Sequence, residues 1–146
     1  MDISSTDSKV FAEAIESGDV KSARAMIDRY PEIVSHPDWT PPPLHCAVLW
    51  NQVEIAKLLL DRGADIESLD PDRQTTPLRF AIMYCQAKTV KLLLSRGAVS
   101  GPIKEDGTTA LELAHEASNG AFEAFEDLPR PSEYRPIVNL LRNMSS

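Results

Sequence analysis

Residues 42–65 begin Pro42-Pro43-Leu44-His45-Cys46-Ala47, run through an apolar stretch at 53–60 and close on Gly63-Ala64-Asp65. The same stretch returns further along the chain. Its start is repeated by Thr76-Pro77-Leu78-Arg79-Phe80-Ala81, and its end by Lys91-Leu92-Leu93-Leu94-Ser95-Arg96-Gly97-Ala98. Leu44 and Leu78, Ala47 and Ala81, Leu59 and Leu93, and Gly63 and Gly97 are each 34 residues apart, and Leu111 and Ala114 follow Leu78 and Ala81 by 33. Self-similarity at this spacing marks one supersecondary unit used several times.

Local chemistry says what the unit is. Thr76 before Pro77 is a helix start, with threonine as the cap and proline at the first helical position, where its missing N–H is not needed. Pro42-Pro43 keeps the proline and loses the threonine; Thr109-Ala110-Leu111 keeps the threonine and loses the proline. Leu44, Ala47 and Val48 share one helical face, and Ile55, Ala56, Leu59 and Leu60 form a second, broader one. Gly63 and Gly97 stand where a left-handed residue ends a helix. The unit reads as helix, tight turn, helix and protruding loop. Such a pair cannot bury its apolar faces alone, so neighbours must stack.

A period of this length with a Thr-Pro-Leu-His-x-Ala start resembles the ankyrin repeat. The resemblance implies an all-α solenoid of about four stacked helix-turn-helix repeats with hairpin-like loops. The expected single domain spans 9–143, after a disordered N-terminus at 1–8, with repeats at about 9–38, 39–72, 73–105 and 106–143. The motifs are strong in the second and third repeats and weaker in the outer two. In the first, Ala14, Val20, Ala23 and Ile27 precede Ala47, Val53, Ala56 and Leu60 by 33, Gly18-Asp19 makes the interhelix turn, and Lys21 and Arg24 face water. Tyr30-Pro31-Glu32-Ile33-Val34 replaces the glycine loop, a form many ankyrin end caps resemble. The fourth repeat begins normally and is interrupted at about 118–134. That insertion carries Phe122 and Phe125, expected to lie on an extended first helix or in a mobile loop.

Composition narrows the function. With 22 acidic and 15 basic residues the net charge is −7. That argues against nucleic acid, which needs a basic stripe, and against anionic membrane surfaces. The leucine runs are too short to span a bilayer. The first residues lack the basic start and apolar core of a signal peptide. Cys46 and Cys85 occupy different repeat positions and are expected to remain thiols, as in a reducing cytoplasm.

No constellation of catalytic residues appears. His45 and Cys46 are helix neighbours pointing about 100° apart, so they cannot share a proton. His36 and His115 lack partners at metal spacing. Glu67, Asp70 and Asp72 lack the glycine and terminal glutamate of a calcium loop. His45 fills the histidine position of the motif, where the family's side chain ties adjacent loops. The expectation is therefore a non-enzymatic module, without cofactor or metal.

In ankyrin proteins, partners meet the loop tips and the exposed end of each first helix. By position, the resemblance assigns Leu49 and Trp50, Met83 and Tyr84, Glu116 and Ala117, and, in the first cap, Glu16 and Ser17. The loop tips add Trp39, Arg73 and Gln74. Trp50 and Tyr84, 34 apart, are expected side by side on a concave face. The implied role is binding a protein partner, as adaptor or inhibitor, by a chain that is monomeric in isolation. The acidic balance favours a basic surface on that partner. Two other readings are a small-molecule binder or enzyme using the insertion at 118–134 as a lid, and an assembly unit that self-associates through an end of the stack.

Overall fold

A computed structural model describes residues 3–35, 39, 41–101 and 106–144. Among them are eight α-helices: α1 (Ser5–Ser17), α2 (Val20–Arg29), α3 (Pro43–Leu49), α4 (Val53–Asp61), α5 (Pro77–Met83), α6 (Ala87–Ser95), α7 (Ala110–Ser118) and α8 (Arg135–Met144). Short 3-10 helices at Pro31–Ser35 and Pro131–Tyr134 follow α2 and precede α8. The odd-numbered helices pack on one another in sequence, and so do the even-numbered ones. The result is two layers of stacked antiparallel pairs.

The interhelix turns share one construction. The N–H groups of Asp19, Gln52 and Gln86 donate to the carbonyls of Ala14, Ala47 and Ala81 at 2.8–2.9 Å. The residue before each donor has positive φ: Gly18 at 79°, Asn51 at 54° and Cys85 at 56°. Glycine and asparagine suit that conformation, whereas Cys85 carries its steric cost. The ends of α4 and α6 are also alike. Ala64 N–H reaches the Leu59 carbonyl and Ala98 N–H the Leu93 carbonyl, across Gly63 and Gly97 at φ 91°. These bonds satisfy carbonyls that a helix end leaves open. Thr76 caps α5 and Thr109 caps α7, the latter in a reciprocal capping box with Glu112.

The core runs along the stack in two joined parts. One is built from α1 to α4, the other from Val48 and α5 to α8, and Leu60 packs against both. Where the second helices face one another the side chains are small and sealed, with Ala23, Ala56 and Val90 at 0% exposure. Outside this core, Arg62 pairs with Asp28 and Arg96 with Asp61, linking the end of each second helix to the pair before it.

Two expectations are corrected. Within the segment 1–8, expected to be disordered, residues 5–8 are helical: Ser4 accepts from Asp7 N–H, and α1 starts at Ser5. The Asp7 carboxylate also accepts from the Tyr30 hydroxyl at 2.7 Å, fastening the start of α1 to the end of α2. Residues 1 and 2 lie outside the described residues, as do 36–38, 40 and 102–105 of the two proline- and glycine-bearing loops. The second correction concerns the insertion. α7 stops at Ser118, with Asn119 as its C-cap and Gly120 at φ 95°, so Phe122 and Phe125 lie beyond the helix. Phe122 nonetheless packs on the core, while Phe125 remains 60% exposed.

Candidate protein-interaction surface

The loop at 66–75 is held from below. Asp70 is fully buried, and its N–H donates to the Thr75 carbonyl at 3.0 Å, making an isolated antiparallel bridge. The same carbonyl contacts His45 Nε2 at 2.6 Å. A carbonyl only accepts, so Nε2 carries the proton and donates. Burial lowers the His45 pKa, which keeps the ring neutral. The histidine thus ties α3 to the next loop, as the motif implied. Above it, the Asp70 carboxylate accepts from Asp72 N–H at 3.1 Å and from the Arg73 guanidinium at 3.0 Å. Gln74 sits at φ 50°, its N–H on the Asp70 carbonyl and its side-chain amide on the Pro71 carbonyl. Arg73 and Gln74 are therefore exposed on a hairpin with a fixed shape.

Phe80 gathers the neighbouring groups. It is 3% exposed and meets the His45 ring edge-on at 5.3 Å and the Tyr84 ring at 6.0 Å, while the Arg73 guanidinium lies 5.8 Å above its centre. A guanidinium held between a carboxylate and an aromatic face is positioned at little further entropic cost.

Trp50 and Tyr84 are the C-caps of α3 and α5, with nearly the same backbone angles. Their surroundings differ. Tyr84 is half-buried against Phe80, but the residue matching Phe80 in the preceding pair is Cys46. Lacking such a ring beneath it, Trp50 stays 50% exposed, beside Leu49 at 36%. Met83 is half-buried and Glu116 exposed. Ala117, in contrast, is 1% exposed and is not a surface position, because α7 continues past it before reaching its cap.

Trp39 is not a free loop tip. It is half-buried, with its ring edge-on to Phe11 at 5.3 Å. Its remaining surface lines a groove of about 270 Å³ with Pro42, Leu44, Leu69 and Pro71. Leu69 is 50% exposed and was missed by the motif positions. The available signal was a leucine set between Ser68 and Asp70 in a mostly polar loop.

The remaining chemistry is passive. Burial pushes the Cys46 and Cys85 thiols up to about 11, away from nucleophilic thiolate. Cys46 donates to the Pro41 carbonyl at 3.4 Å and Cys85 to the Glu133 carbonyl at 3.3 Å, and both are free thiols. Among the described residues, no three His, Cys, Asp or Glu side chains cluster as metal ligands, and no helix is long and apolar enough to cross a membrane. The insertion bounds an open cleft of about 670 Å³ along Phe122, Phe125 and Leu128, not a closed chamber beneath them.

Stacked helix pairs, joined by repeating turns and edged by a loop hairpin, define a helical-repeat protein. Residues 44–94, which span α3 to α6, match the family described as ankyrin repeats (many copies). No curated protein matches the chain in sequence. Ankyrin repeats are generally protein–protein interaction modules and are typically non-enzymatic.

Proposed function

We propose that this protein binds another protein through the exposed ends of its first helices and the adjoining loop hairpin. The observation that carries the reading is the exposure of Trp50 and Leu49 next in the stack to Tyr84, Met83 and the fixed Arg73. Tryptophan, tyrosine and arginine are the residue types that dominate interface energies, and side chains already held in place lose less freedom on binding. Gln74 and Glu116 extend this surface, and the groove beside Trp39 gives it an apolar margin.

The net charge of −7 favours a partner with a basic surface. The protein acts without catalysis, as an adaptor or inhibitor, monomeric in isolation and in the cytoplasm, where its thiols stay reduced. The test is quantitative affinity capture from native lysate with wild-type protein and with Trp50→Ala/Arg73→Ala as bait. A partner retained by the first and lost from the second is expected. Equal recovery of every retained protein on both baits would reject this surface.

A further inference from the structure

The C-terminal face of the stack is where another helix pair would sit. His115 stands in the position of Val48 and Ile82, and Arg142 in that of Leu60 and Leu94. Val48 and Leu60 pack on the core of the helix pairs that follow them. At the last pair these apolar positions become a histidine and an arginine. An exposed end needs polarity, but in a chain with 22 acidic and 15 basic residues carboxylates would supply it as well.

The groove on this face contains none. It encloses about 410 Å³ between α7 and α8, and its lining includes His115, Ser118, Arg135, Asn139 and Arg142 but no aspartate or glutamate. Arg135, Asn139 and Arg142 are spaced i, i+4 and i+7, so they share one face of α8. Arg62, Arg73 and Arg96 each hold an aspartate of the protein itself. Among the described residues, Arg135 and Arg142 are in no ion pair.

We propose that this groove binds an acidic peptide segment of a protein, through side-chain carboxylates or phosphate monoesters held by Arg135 and Arg142. A guanidinium fork matches either oxyanion with two parallel hydrogen bonds. Asn139 adds a neutral donor. A groove of 410 Å³ exceeds the roughly 30 Å³ share of a water molecule many times over, which leaves room for several residues rather than one ion. Its ligand carries the charge opposite to that of the partner at the loop hairpin, so the two surfaces are separate.

The test uses the full chain and fluorescence anisotropy with a labelled glutamate-rich peptide, its phosphoserine counterpart and its glutamine counterpart. Saturable binding of an acidic peptide is expected. It should weaken about tenfold or more in Arg135→Gln/Arg142→Gln and stay unchanged in Lys21→Gln/Arg24→Gln, which removes equal charge from α2 at the other end of the stack. Circular dichroism checks that both variants remain folded. Tighter binding of the phosphoserine peptide identifies a phosphate monoester as the natural group, and comparable binding identifies carboxylates. The proposal is overturned if neither acidic peptide saturates, if both double variants weaken binding equally, if the glutamine peptide binds as well, or if inorganic phosphate binds and the peptides do not.

Discussion

The hydroxyl of Tyr134 donates a hydrogen bond to the backbone carbonyl of Met83, 51 residues earlier in the chain. Tyr134 is fully buried, its ring lies 6.2 Å from that of Phe122, and the carbonyl of its neighbour Glu133 accepts from Cys85. The end of the insertion is thereby fastened to the turn between α5 and α6, beside Tyr84. Removing only the hydroxyl, in Tyr134→Phe, should cost about 1–2 kcal/mol, because the partly buried Met83 carbonyl loses its partner. Tyr134→Ala should cost about 3–5 kcal/mol through the cavity as well. Urea unfolding measures both, and amide exchange across the insertion should rise in parallel. A Tyr134→Phe protein as stable as wild type would mean that packing alone holds the segment.

The His45 tie gives a pH dependence whose sign follows from burial. The folded-state pKa lies below the unfolded value of about 6.5. Stability from this group is therefore complete above about pH 6.5 and is lost as pH falls through the depressed folded value. His45→Leu should cost about 1–3 kcal/mol at neutral pH and should flatten the loss of Tm on mild acidification. Asp7 and Asp19, whose carboxyls are held below their ordinary value by hydrogen bonds from Tyr30 and Ser22, act at lower pH, beneath the ordinary carboxylate range. Parallel Tm–pH curves for wild type and His45→Leu would show that His45 does not govern the first acid step.

Ala56 tests the stacking register. It is at 0% exposure, in a row with Ala23 and Val90. Ala56→Arg should destabilise by about 3–5 kcal/mol, since the site is sealed and offers the guanidinium no counter-charge. Chemical denaturation reads the effect, and an unchanged midpoint would exclude the position from the interior.

Trp50 and Tyr84 should separate stability from binding. Trp50→Ala should change stability by less than about 1 kcal/mol, because half of the ring is already in water. Tyr84→Ala should cost about 1–2 kcal/mol, since its ring leans on Phe80. Once a partner has been captured, each substitution should weaken its binding by about 2 kcal/mol, roughly thirtyfold. Undiminished affinity in the folded double variant would rule out this surface.

Much of the surface was readable from register alone, and the exceptions share a cause. Leu49, Trp50, Arg73, Gln74 and Glu116 are exposed where the motif places them. Ala117 is not, because the length of α7 depends on where its own cap falls. Trp39 is drawn against Phe11, a residue of a different helix pair. Tyr84 is steadied by Phe80 where Trp50 has only Cys46 below its turn. Each departure is a contact between side chains at non-equivalent positions, which a repeat pattern does not record.

The sequence by itself determined the unit: its helix starts, its left-handed turns at Gly18, Gly63 and Gly97, the tie made by His45, and the need to stack. These follow from cap chemistry, backbone sterics and apolar spacing, all of which act within a few residues or between equivalent positions of successive pairs. Only the tertiary structure decided where the insertion lies, that Asp70 is buried beneath Arg73, and that the last pair ends in a groove lined by Arg135 and Arg142. Those features depend on partners distant in sequence, and local propensity carries no record of them.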